Sequence, residues 1–193
     1  MLVEIGMQNA HSVSTPMDPG VYPALEIYED HSLFLALNVN YKHEVGLISY
    51  LAISTRPNLE FPGFLLLKNW CPFKRILQYV FVSQHLGLTL FCTDIDINNY
   101  AYSSYDNFSS TSRSHTWLLV YLGNNLIHWK LQWQLSVCSS SNEAEYKALY
   151  KGGKQTVWFI QILPGMYFSV SSPTLSLLGN NQPLIALAKT PIP

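Results

Sequence analysis

The sequence of 193 residues predicts an α/β fold, a mixed sheet flanked by helices and preceded by a mostly helical or irregular segment. Three observations predict it. Apolar residues recur at helical spacing in residues 41–61 and 74–82. From about residue 98 the pattern changes to short aromatic-rich runs separated by polar turns. A long helical stretch follows, then a short strand and a last helix. Periodicity fixes the class; it does not distinguish one α/β fold from another.

Each element has a local reason. Pro16, Pro19, Gly20 and Pro23 break any long element in residues 1–40. Residues 41–61 read as a helix, because Val45, Ile48, Leu51 and Ala52 form one apolar stripe, with a turn at Thr55-Arg56-Pro57-Asn58. Residues 74–82 form a shorter amphipathic helix on Ile76, Leu77, Val80 and Phe81. Tyr100–Tyr105 is a strand candidate and Ser109–Ser114 a polar turn. Thr116–Leu122 is apolar and aromatic, hence a strand, and Gly123-Asn124-Asn125 is a strong hairpin turn. Leu126–Lys130 returns as its partner, and Leu135–Ser139 reads as a third strand. Asn142–Leu163 reads as a helix, with Asn142 as N-cap and Glu143 and Glu145 in the positive first turn. Gly152-Gly153 inside it costs about 1–2 kcal/mol of helix stability against alanines. A strand at Thr174–Leu178 precedes Gly179-Asn180-Asn181, and Pro183 opens a final helix, Leu184–Lys189.

Composition narrows the function classes. Apolar residues are 48% of the chain, enough for a core. Charged residues are 12% and aromatics 13%, which predicts poor solubility for the chain alone and suits a piece of a larger assembly. A net charge of -1 gives no strong global pull toward nucleic acid. Cys71, Cys92 and Cys138 are odd in number and far apart, which speaks against zinc and disulfide frameworks and for reduced core thiols. No apolar run approaches the roughly 18 residues that span a bilayer. Glu4, Gln8, Asn9 and His11 give the start of the chain no signal-peptide pattern. The expectation is an intracellular protein, in cytoplasm or nucleus, without a membrane partner. The glycosylation triplet Asn107-Phe108-Ser109 then has no setting in which to act.

Several segments, in order, resemble the copia-type (Ty1/copia) Pol polyprotein of LTR retrotransposons. Val13-Ser14-Thr15-Pro16-Met17 is similar to V-S-T-P-M. Tyr50-Leu51-Ala52-Ile53-Ser54-Thr55-Arg56-Pro57 is similar to Y-L-A-I-S-T-R-P-D, with Asn58 in place of the aspartate. Arg75-Ile76-Leu77-Gln78-Tyr79 resembles R-I-L-R-Y-L, with about seven family residues missing just before it, near two helical turns. Ser110-Thr111-Ser112, Leu126-Ile127-His128-Trp129 and Glu143-Ala144-Glu145-Tyr146-Lys147-Ala148-Leu149 resemble S-T-S-G, L-I-S-W and E-A-E-Y-x-A-L. Asn181-Gln182-Pro183-Leu184-Ile185-Ala186-Leu187-Ala188-Lys189 resembles N-Q-S-A-I-A-L-A-K. Order and spacing agree over almost the whole chain. The Y-x-D-D polymerase motif is absent, which places the start of the chain downstream of that active site. The resemblance implies two parts: residues 1–97 as a reverse transcriptase C-terminal or connection remnant, and residues 98–193 as a ribonuclease H-like domain truncated at its C-terminus.

Ribonucleases H cut RNA in an RNA–DNA hybrid with two magnesium ions, which need several converging carboxylates. The resemblance places Glu145 at the helix glutamate of that site. Ser104 stands where the first-strand aspartate belongs, and Asp106 matches the second acid of Y-S-D-A-D-W. A slide of the strand by two residues keeps side chains on one face and brings Asp106 to the first position instead. Asn180 stands at the strand-to-helix aspartate, and the last acidic position lies beyond Pro193. The implied catalytic and metal-binding residues are therefore Glu145 and Asp106, with Ser104 and Asn180 as degenerate positions. Mg2+ is the implied cofactor, held weakly at best.

Other signals carry less. Lys147, Lys151 and Lys154 share one helix face, either a solvated face or a small phosphate-contacting stripe. Gly152-Gly153-Lys154-Gln155-Thr156 lacks the first glycine and the serine or threonine of a phosphate loop. Asp94-Ile95-Asp96 reads as a loop. The six histidines have no metal-site spacing. Trp117, Trp129, Trp133 and Trp158 read as core or sheet-face aromatics, with a base-stacking platform as the alternative.

The leading expectation is a degenerate Pol fragment, ancestrally a ribonuclease H acting in reverse transcription and without turnover here. Its implied partners are an RNA–DNA hybrid and the rest of a Pol polyprotein. The alternatives are a weakly active magnesium-dependent nuclease using Glu145 and Asp106, and a non-catalytic binding or interaction module.

Overall fold

The computed structural model describes residues 11, 13–17, 40–66, 73–91, 96–105, 113–168 and 174–176. The expected helix Leu184–Lys189, the residues 109–112 of the polar turn, Cys71, Cys92, Asp106 and Asn180 lie outside these. The chain divides into two compact units, Met1–Leu88 and Thr89–Pro193.

In the first unit, α1 runs Tyr41–Ser54 and starts at Asn40, whose side chain accepts from the His43 amide. The helical stretch expected over 41–61 breaks at the expected turn, Thr55-Arg56-Pro57-Asn58. Arg56 precedes a proline and sits at φ -127, ψ 72, outside the helical region. A 3-10 turn, Pro57–Leu59, and a short helix α2, Glu60–Leu66, follow. The next helix, α3, covers Phe73–Val82. Val45, Ile48 and Ala52 of α1 join Leu59, Phe73, Ile76, Leu77 and Tyr79 in one buried cluster. Arg56 closes it: Nη1 donates to the carbonyls of Ser83 at 2.7 Å and Leu86 at 2.9 Å, just past the end of α3. Helix ends leave such acceptors without partners, so this buried cation has a structural use.

In the second unit, β1 (Ile97–Ser104), β2 (His115–Leu122), β3 (Asn125–Trp133) and β4 (Thr174–Ser176) form one sheet in the order β3-β2-β1-β4. β1 and β2 pair antiparallel from Ile97↔Leu122 to Ser104↔His115. β2 and β3 pair antiparallel with an irregularity at Val120/Tyr121, and β4 pairs parallel to β1. Gly123 turns the hairpin at φ 57, a conformation that favours glycine. The long helix α4, Ser141–Ile162, connects the antiparallel part to β4. This mixed sheet with a helical crossover is consistent with the expected ribonuclease H-like α/β class.

Two local expectations are corrected. Leu135–Ser139 is not a strand: β3 ends at Trp133, and Leu135 and Val137 are exposed. Gln134 accounts for the break. Its backbone N–H still donates to the Ser114 carbonyl at 2.9 Å, but its side chain turns inward and is fully buried. The N-cap of α4 is Ser140, not Asn142. The Ser140 hydroxyl accepts from the Glu143 amide at 3.2 Å, while the Glu143 carboxylate reaches back to the Ser139 amide at 2.8 Å. This is a capping box shifted by one residue.

Candidate functional site

The site follows from how closely α4 lies on the sheet. Ala144, Ala148, Gly152 and Thr156 recur every four residues and are its buried face. Opposite them, β1 alternates: Ile97, Asn99, Ala101 and Ser103 are buried beneath the helix, while Asn98, Tyr100, Tyr102 and Ser104 point to the other face. Ala101 and Leu118 meet Ala148 in one small cluster. A Cβ on Gly152 would lie 3.0 Å from the Ala101 Cβ, so any larger residue would push the helix and β1 apart by a few tenths of an ångström. Asn99 fastens the contact, donating from Nδ2 to the Gly152 carbonyl at 2.7 Å and to the Thr156 hydroxyl at 2.9 Å.

The N-terminal end of α4 is tied down by polar groups. Gln134 Nε2 donates to the Thr116 hydroxyl at 3.1 Å and the Ala144 carbonyl at 2.8 Å. The Cys138 thiol donates to Gln134 Oε1 at 2.8 Å. Lys147 Nζ pairs with Glu143 Oε1 at 2.6 Å and donates to the Ser136 hydroxyl at 2.9 Å and the Cys138 sulfur at 3.3 Å. The Lys147 hydrogen bond, followed by those from Ser139, holds the Glu143 carboxyl down at about 2. Glu143 is thus committed to the cap and to Lys147.

Glu145 is half-buried in the first turns of α4, one turn before Ala148. Ser104 ends β1, paired with His115, on the face turned away from α4. The residue on the α4 side is Ser103, whose buried hydroxyl has no hydrogen-bond partner. The structure therefore does not bring Ser104 and Glu145 to one face of the sheet. Asp106 and Asn180 lie outside the described residues. Among the described residues, no group of three or more His, Cys, Asp or Glu side chains is placed to hold a metal ion. Of the four positions implied by the resemblance, only Glu145 and Ser104 are described, and only Glu145 is anionic. Among the described residues, the one carboxylate of Glu145 does not by itself make the donor set of a magnesium pair, which takes hard oxygen ligands from several sides.

A second feature lies on the outer side of α4, where sequence reading placed only a lysine stripe. Leu149, Tyr150, Gly153, Lys154, Val157, Trp158 and Gln161 line an open groove of about 510 Å³. Trp158 is 49% exposed there, so it is neither a core nor a sheet-face aromatic. Trp158 falls outside the register Ala144, Ala148, Gly152, Thr156 of the buried face, and that was the available signal. Lys130, paired with Leu118 across β2 and β3, lies within electrostatic reach of Lys151, a proximity that spacing along one helix could not reveal.

No protein-family model matches the chain, and no solved structure matches it. Among curated proteins it is similar to the retrovirus-related Pol polyprotein from transposon RE2 of Arabidopsis thaliana, 28% identical over 190 residues, 93% of this chain and 13% of that protein. The Pol polyprotein from transposon RE1 of the same plant is 26% identical over 189 residues, again 93% of this chain and 13% of the polyprotein. The secreted RxLR effector protein 161 of Plasmopara viticola is 29% identical over 130 residues, 63% of this chain and 92% of that protein. The chain thus spans a small part of the polyproteins, yet nearly all of itself is matched.

Proposed function

Because the chain is homologous to a part of the Pol polyproteins of copia-type transposons, we propose that it is a degenerate Pol fragment whose ribonuclease H-like portion, residues 98–193, no longer turns over. Residues 1–97 are, on this reading, what remains of the connection to the polymerase. The observation that carries the proposal is the end of β1. Ser103 faces α4 and Ser104 faces away, and neither supplies the negative charge that a metal beside Glu145 requires. Asn180 supports it from the sequence, since an amide is a neutral and weak magnesium ligand. When bound, magnesium would activate water and stabilise the leaving oxygen. The described residues do not form its donor set, so no hydrolytic step is derived from them.

The experiment is cleavage of a labelled RNA–DNA hybrid by the full chain with Mg2+ or Mn2+. No cleavage above background is expected. Cleavage at an ordinary enzymatic pace, abolished in Glu145→Gln, would overturn the proposal in favour of a nuclease built on Glu145 and Asp106.

A further inference from the structure

The outer face of α4 combines three features that nothing in the hydrolytic reading uses. The first is aromatic. Tyr150 and Trp158 are 59% and 49% exposed and both line the groove. They are eight residues apart, about 12 Å along the axis, so they would meet different bases of one strand. The Trp158 indole is braced edge-on by Phe159 at 4.8 Å, and Phe159 packs in turn against His128 of β3 at 6.0 Å. A braced ring is a preorganised stacking surface.

The second feature is charge. Lys154 lines the groove, Lys151 lies three residues before it on α4, and Lys130 of β3 is close enough to Lys151 to act on it electrostatically. The Lys154 ammonium lies 5.1 Å from the Tyr150 ring centroid, which holds a cation beside an aromatic face. Burial, then the charges of Lys130 and Lys147, lower the Lys151 pKa, a sign that these ammoniums crowd one another. Glu143 neutralises Lys147, but among the described residues Lys130, Lys151 and Lys154 are in no ion pair. An approaching anion would relieve that repulsion.

The third feature is shape. A groove of about 510 Å³ is open along the helix rather than enclosed, as a chain-like ligand needs.

We propose that this face of α4, with Lys130 of β3, binds single-stranded nucleic acid, its bases stacking on Trp158 and Tyr150 and its phosphates meeting Lys130, Lys151 and Lys154. An apolar peptide would leave three ammoniums without counter-charges. An acidic peptide would satisfy them but leave two aromatic faces unused. A duplex keeps its bases stacked on each other and offers only phosphates. The protein's net charge of -1 supplies no global attraction, so binding has to rest on local cations. The site is independent of cleavage, since none of these residues is assigned to hydrolysis.

The test is fluorescence anisotropy of a labelled oligothymidylate of about 12 nucleotides, within the footprint of single-strand binders, titrated with the full chain at several salt concentrations. Saturable binding that weakens steeply with salt is expected. Trp158→Ala should weaken it about tenfold, the loss of one stacked base. Lys151→Ala/Lys154→Ala should lower the slope of log affinity against log salt by about 1.4, from two lost phosphate contacts. All three side chains are at least partly exposed, so circular dichroism should match the parent; should Trp158→Ala lose helix, the lysine pair decides alone. Absence of binding at low salt, unchanged binding in both variants, equal affinity for a duplex of the same length, or equal competition by polyglutamate would each overturn the proposal. Hybrid cleavage by the chain would sink the functional reading above and leave this one standing.

Discussion

Gly152 shows how one missing methyl sets the distance between helix and sheet. Alanine normally favours a helix over glycine by about 1 kcal/mol. At Gly152 the new Cβ would meet the Ala101 Cβ at 3.0 Å, and β1 is held between β2 and β4. Gly152→Ala is expected to destabilise the protein by about 1–3 kcal/mol through overpacking. Gly46, on α1, has nothing within 4 Å of its would-be Cβ, so Gly46→Ala should stabilise by about 0.5–1 kcal/mol. Urea denaturation of the two variants checks the opposite signs. His128 adds a pH dependence. Burial, and after it the charge of Lys130, lowers its pKa, and its buried Nε2 has no partner. The unfolded chain then takes up the proton first. Stability from this group is complete above about pH 6.5 and falls as pH drops toward the folded-state value. Glu143, held down at about 2, acts in a separate and more acidic window. His128→Phe should therefore flatten the loss of urea midpoint between about pH 7.5 and 5.5, whereas an unchanged slope would discount His128.

At the scale of elements, α4 depends on its start. The Ser140 hydroxyl satisfies the Glu143 amide of the first turn, and the Glu143 carboxylate holds the Ser139 amide before the cap and anchors Lys147. Ser140→Ala should cost about 1 kcal/mol, read as a lower thermal midpoint without change in fold. The same region shows why the sequence misplaced a strand. Leu135 and Val137 look like an alternating apolar strand, yet Leu135 is 91% exposed. What turns the chain is Gln134, whose inward amide serves Thr116, Ala144 and Cys138. A polar residue chosen for partners far along the chain leaves no periodic trace. The helices and hairpin were legible because their cues are local: the stripe on α1, the turn at Gly123, the proline after Arg56. Glu145 was legible through its surrounding motif. The groove and Lys130 were not, because they join residues from a helix and a strand.

At the scale of the molecule, each unit has its own core, one built on α1 and α3, the other on the sheet and α4. Between them Leu86, Gly87 and Leu90 are exposed or without regular structure, while Phe91 is pinned by two hydrogen bonds to Asn125. Brief chymotrypsin treatment should cut after Leu90, which is 69% exposed, and leave α4 and β2 intact. Early cleavage within α4 or β2 would contradict this division.

The sequence by itself determined the class of fold, most of the elements and the kinship with transposon Pol polyproteins, since these rest on periodicity, turn chemistry and contiguous motifs. Only the tertiary structure decided that Ser103 rather than Ser104 faces α4, that Gly152 is a contact rather than a weakness, and that Lys154 and two exposed aromatics line one groove with Lys130 brought close to Lys151. Those outcomes depend on which side of a pleated strand meets a helix, and on residues distant in the chain becoming neighbours, so no local pattern encodes them.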